Sequence, residues 1–309
     1  MRRLRFAGVL SGLVALVVLA WTPLAAATTS RCLIINDALN ASYKSLQAAQ
    51  DAASSADTLW VRGRCVGTTT IRKNLTITGQ QPRGFTPPTL DGAGQGSVLT
   101  IDEGLTATIN ALTISNGDTD DVGGGIIALG TVTLNDSTVS HNVAGLGGGI
   151  ASDGTVTLND STVRDNTGHG GGGGILSFGT VTANGSSRIA DNTATDSDAG
   201  GVYNLGTVTL NDSAAITGNT AHRGGGIRND EGTVTLNDSS AVTGNTASDD
   251  GGGIWNGGAV TLNDGSAVSG NTAANVGGGV YNASGFGTLH LAGGTVSGNT
   301  PDDVYPSLT

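Results

Sequence analysis

The chain has 309 residues, 52 of them glycine, with 37% hydrophobic residues but only 4% aromatic ones. That composition fits one extended domain with a narrow core of small aliphatic side chains and many corners, not a broad aromatic core. The formal net charge of −11 argues against nucleic acid as a partner.

Residues 1–27 stand apart. Arg2, Arg3 and Arg5 precede an apolar run from Phe6 to Ala20, and Ala25-Ala26-Ala27 offers a small-residue cleavage site. The stretch reads as a secretory signal peptide, too short to favour a permanent membrane span. Its removal leaves 11 Lys and Arg against 25 Asp and Glu. Cys32 and Cys65 are the only cysteines. In an exported chain an even pair reads most simply as one disulfide, with two free thiols as the alternative.

Residues 28–56 are expected to form an N-terminal cap. Tyr43, Leu46, Ala49, Gln50 and Ala53 fall at helical spacing in a stretch without Gly or Pro, and a helix here would cover the open end of the coils that follow. Asp57–Cys65 and Thr68–Gly79 read as the first coil. Residues 80–97, with Pro82, Pro87, Pro88 and several glycines, read as a surface loop.

From there the chain repeats itself. GTVTLNDSTVSHNVAGLGGGI, residues 130–150, returns with variations, and the apolar residue after each glycine run falls at Ile126, Ile150, Ile175, Val202, Ile227, Ile254 and Val280. Within a unit, Val132 and Leu134 alternate with Thr131, Thr133 and Asn135, the period of a half-buried strand. Two further short alternations predict three strands per unit. A unit cannot close a core alone, but stacked units with parallel strands bury a continuous Val/Leu/Ile column. The prediction is therefore an all-β, right-handed parallel β-helix of about nine coils over residues 57–309. Asn142, Asn166, Asn192, Asn219, Asn245, Asn271 and Asn299 recur at one point of the unit, where stacked amides would hydrogen-bond from coil to coil. The glycine runs precede strands, so they read as tight corners and not as phosphate cradles. The coils are expected to stop at Asn299-Thr300-Pro301, where proline blocks further strand pairing.

The unit resembles the repeats of right-handed parallel β-helix proteins of the pectin-lyase-like superfamily, and above all polymorphic outer-membrane-protein repeats with their glycine–isoleucine and asparagine landmarks. The resemblance covers roughly residues 57–305 and implies the fold more than any activity, since that superfamily mixes lyases, hydrolases, adhesins and other proteins. No barrel, sorting motif or second hydrophobic span is legible after the repeats. The expected location is therefore extracellular, released or held at the cell surface.

Catalytic signals are thin. Gly168-His169-Gly170 and Arg188-Ile189 resemble polygalacturonase motifs, but Ala190 stands where that family has lysine, and the Asn-Thr-Asp element is missing. Asp136, Asp160, Asp212, Asp238 and Asp264 all follow Asn in the unit and read as turn caps bonded to their own backbone. Thr131/Thr133 and their equivalents form two outward ranks resembling those of β-helical ice-binding proteins, broken at Ala259 and His290.

A ligand site is expected elsewhere. Tyr203, Arg228, Trp255 and Tyr281 occupy the same outward position in successive coils, a column suited to sugar rings or a partner surface. The turns before the glycine runs carry Asp196, Asp198, His222, Asp249 and Asp250, a candidate weak cation site with calcium as the candidate ion. The sequence thus reads as a non-catalytic scaffold for adhesion or for binding saccharide or protein. A polysaccharide lyase or glycoside hydrolase is the alternative, and ice binding the lesser one.

Overall fold

The structure, a computed structural model, describes residues 31–283 and 286–307; the expected signal peptide lies outside them. The chain winds into a parallel β-solenoid of about nine coils. One coil visits four sheets, numbered here in that order. In the coil that begins at Ile126 the strands are Ile126–Ala128, Thr131–Asn135, Thr138–Ser140 and Val143–Leu146. The expectation of three strands per unit is corrected to four. The missed strand shrinks to two residues in later coils, such as Thr193–Ala194, too short for a periodic signal, and it buries at most an alanine or a glycine per coil.

Strands pair in register with their equivalents one coil on: Val132 with Val156, Val139 with Val163, Ile150 with Ile175. The first three sheets therefore stack four apolar columns, from Ile150, Val156, Leu158 and Val163 and their equivalents, into one continuous core. These side chains are fully buried. Each contributes roughly 1.5–3 kcal/mol, too little for a single coil to offset the ordering of its backbone.

The asparagine column is a ladder. Each Nδ2 donates to the Oδ1 of the next coil, Asn166 to Asn192 at 2.9 Å and Asn192 to Asn219 at 3.0 Å, and also to a main-chain carbonyl behind it. Two further ladders were not foreseen: Asn110 through Asn263 at the end of the second-sheet strands, and Asn204, Asn229, Asn256 and Asn282 at the end of the first-sheet strands. The glycines make room for this. A Cβ on Gly149 would lie 2.9 Å from the Asn166 amide nitrogen and 2.6 Å from the Gly174 carbonyl, while Gly147 turns the corner at a φ of +62°.

At the N-terminal end the helix spans Leu46–Ala52, and Tyr43 lies in the preceding strand, Ala41–Tyr43, outside the helix. Ser45 accepts from the Ala48 amide, and a Ser at that position sets the start later than spacing alone implies. Gln47 accepts the Thr70 amide on the edge strand of the first sheet, and Lys73 donates to the carbonyls of Gln50, Asp51 and Ala53. Cys32 and Cys65 form a disulfide. At the other end, pairing continues past Pro301: Val304–Tyr305 joins the first sheet beside Val280 and Tyr281. Proline therefore does not stop the strand pairing, and two carboxylates meet the groups left over at this end. Asp303 accepts from the amide and side chain of Asn299, ending the ladder, and Asp302 accepts the Gly277 and Gly278 amides.

Candidate functional site

The first sheet gives the solenoid its distinctive face. Alternation turns every middle residue of its three-residue strands outward, and register aligns Ile127, Ala151, Leu176, Tyr203, Arg228, Trp255, Tyr281 and Tyr305 in one column. The four residues expected to form a site are thus brought together. Tyr305 is a fifth rung that the sequence reading missed. Its signal was present: Val304-Tyr305 repeats Val280-Tyr281, with Asp302 and Asp303 in place of glycines.

The side chains in this column touch. The Arg228 guanidinium lies 4.1 Å from the Trp255 ring centroid and 5.9 Å from that of Tyr203. Trp255 stacks on Tyr281, and Tyr281 on Tyr305, each with 6.0 Å between centroids. Trp255 also lies over Gly257, where a Cβ would come within 2.9 Å of the ring.

Arg228 is held by carboxylates. It pairs with Asp198 and, at 3.0 Å, with Asp230, and its side chain is only 13% exposed. Burial acts to lower the guanidinium pKa, but the Asp230 hydrogen bond and the charges of Asp198 and Asp230 outweigh it and hold the pKa above the ordinary value. The Tyr203 hydroxyl donates to Asp230 at 2.8 Å. Burial first, and that carboxylate second, push the phenol up.

The corner residue that follows each first-sheet strand forms a second column beside the first: Leu129, Asp153, Phe178, Leu205, Asp230, Gly257 and Ala283. Phe178 is 54% exposed, and Phe286, just beyond Ala283, 77%. A groove of about 430 Å³ runs between Leu205, Arg228, Asp230, Glu231, Trp255 and Phe286. A smaller one of about 150 Å³ lies between Ile127, Leu129, Ala151, Leu176 and Phe178. The sequence reading named none of the corner residues, because it followed strand periodicity and a corner residue belongs to no strand.

Of the turn residues, Asp198, His222 and Asp249 come together, with Asp198 paired to arginine. Asp198 takes two hydrogen bonds from Arg223, at 3.1 and 3.2 Å, besides its pair with Arg228, and His222 Nδ1 lies 3.6 Å away. His222 Nε2 is 3.9 Å from Asp249, and Asp250 accepts from Asn275. Asp196 lines a separate shallow groove with His222 and Ser248. Among the described residues no three His, Cys, Asp or Glu side chains are grouped to hold a metal ion.

The remaining sequence features resolve as follows. His169 meets the Thr195 hydroxyl in a turn after the fourth sheet, whereas Arg188 lies on the third sheet. The aspartates after asparagine bridge to neighbouring coils more than to their own backbone: Asp160 accepts from the Ser186 amide and hydroxyl, Asp212 from the Gly185 amide. The two threonine ranks are in register on the second sheet, with Thr233 opposite Ala259 and Thr261 opposite His290. Among the described residues no helix is long and apolar enough to cross a membrane. No family model, curated protein or solved structure matches this chain.

Proposed function

We propose that this chain is a non-catalytic β-helix scaffold, secreted or held at the cell surface, that binds a saccharide or protein on its first-sheet face. The observation that carries the reading is the column Tyr203, Arg228, Trp255, Tyr281 and Tyr305 beside an open groove of about 430 Å³. Contiguous exposed apolar surface marks interaction sites on soluble proteins, and the columns facing outward from the second sheet carry threonine and asparagine instead. Export rests on the N-terminal apolar segment. Membership in the pectin-lyase-like superfamily, with polymorphic outer-membrane-type repeats, rests on the likeness of the repeat unit.

The test is binding to immobilised polysaccharides and extracellular surface proteins, with the double variant Trp255→Ala/Tyr281→Ala alongside. The reading expects at least one ligand, lost in the double variant while the melting temperature stays within a few degrees. Undiminished binding by the double variant, or no ligand in either panel, overturns it. Incubation with acidic and neutral polysaccharides plus calcium, scored for reducing or unsaturated ends, checks the non-catalytic claim; turnover would favour the lyase or hydrolase alternative.

A further inference from the structure

We infer, on the basis of that binding role, that the ligand is an extended, uncharged polysaccharide lying along the solenoid axis across both grooves of the first-sheet face. Charge selects the class. The two arginines at the face are committed, Arg228 to Asp198 and Asp230 and Arg223 to Asp198. Asp153, Asp230 and Glu231 line the grooves. From residue 84 onward only Arg164, Arg188, Arg223 and Arg228 oppose 22 acidic residues. A polyuronate or sulfated chain brought against this surface meets repulsion and, among the described residues of the two grooves, no free cation. Hydroxyl groups find acceptors there instead: the Glu231 carboxylate, and the lone pairs of Asp230 that Arg228 and Tyr203 leave over.

Length follows from the repeat. Phe178 and Phe286 bracket the rings that line the grooves, on the coils of Ile175–Ser177 and Val280–Asn282, and the exposed Tyr305 lies one coil further on. Four inter-strand steps separate these coils, so the bracket spans roughly 19 Å. The coil rise of roughly 4.8 Å is close to the length of one sugar ring in an extended chain. A polymer laid along the axis thus presents about one ring per coil to Leu205, Trp255 and the two phenylalanines, which supply apolar surface for the C–H faces of the rings.

The experiment is calorimetric titration with neutral gluco-, xylo- and mannooligosaccharides from two to eight units, with oligogalacturonate as the anionic counterpart. Proteins are the native chain, Phe178→Ala and Trp255→Ala, the last on a residue of the binding face itself. The expected result is affinity for one neutral series that rises roughly tenfold or more from the dimer to the hexamer, as contacts accumulate coil by coil, and no binding of oligogalacturonate. Phe178→Ala should weaken the hexamer and leave the dimer unchanged, whereas Trp255→Ala should weaken both. Tighter binding of oligogalacturonate, affinity independent of length, or a hexamer indifferent to Phe178→Ala would overturn the inference. Binding of a protein but no saccharide would overturn it and leave the scaffold reading standing; binding of nothing would overturn both.

Discussion

Asn219 shows what one residue of the main ladder does. Its Oδ1 accepts from the amide and the side chain of Asn192, its Nδ2 donates to Ile189 O and Asn245 Oδ1, and it is fully buried. Alanine there strands donors and acceptors on both neighbouring coils, each costing roughly 1–3 kcal/mol. Asn219→Ala should therefore lose about 3–5 kcal/mol in urea unfolding. Asn211→Ala, in the half-buried outer ladder, should lose only about 1 kcal/mol because water replaces the lost partners. Equal losses would refute this ranking. Asp91 carries the pH dependence at this scale. Burial acts to raise its carboxyl pKa, but hydrogen bonds from Arg64, Asn116 and the Ala93 amide, with the Arg64 charge, prevail and hold it below the usual range. A depressed folded pKa means stabilisation that is complete above the unfolded value of about 4 and is lost as pH falls through the folded value. The melting temperature of Asp91→Asn should thus fall below native by a constant margin from neutral pH down to about 5, a margin that narrows below about 4. A margin that widens in acid would contradict the assignment.

Elements owe their positions to partners the sequence shows unequally. The second-sheet strands were legible, since Thr-Val-Thr-Leu-Asn buries alternate residues and pairs with itself. The fourth-sheet strands were not, because from Thr167–Gly168 onward they are two residues long, and two residues carry no period. The aromatic column was legible for the same reason as the strands; its carboxylate partners and corner rings were not, because side-chain contacts between coils depend on turns whose length varies. The cap helix is an intermediate case: its spacing was visible, but its closure by Lys73 comes from 20 or more residues away. Lys73 satisfies three carbonyls at the helix C-terminus, where a cation is also favoured by the dipole. Lys73→Met should cost about 1–3 kcal/mol and raise amide exchange in residues 46–53 before the repeats respond. Uniform loss of protection along the chain would mean that the lysine does not act through the cap. The Cys32–Cys65 bridge ties the same end to the third sheet. Its reduction should cost ~3–4 kcal/mol for a loop of this size, detectable as a lower melting temperature with reductant.

At the scale of the molecule the solenoid is a one-dimensional array, with each coil stabilised chiefly by its neighbours. Its two ends differ. The first coil is covered by helix and hairpin, whereas in the last one Leu291 is 39% exposed while its equivalent one coil earlier, Leu262, is buried. The array should tolerate loss of a whole unit and not of half a unit. Deleting residues 131–154 joins Gly130 to Thr155, whose equivalent in the coil before is Thr131. Every sheet then closes in register, and Asn166 takes the place of Asn142 beneath the Gly117 amide. Deleting only residues 131–142 sends the chain from the first sheet directly to the fourth and removes Val132, Leu134 and Val139 from the core. Circular dichroism of the first deletion should match the native signal per residue, with a melting temperature lower by a few degrees and the rings from Phe178 to Phe286 still able to bind. The second should lose cooperative melting. If both deletions unfold alike, the coils are not exchangeable units, and the stability of the protein resides in contacts that the repeat does not share.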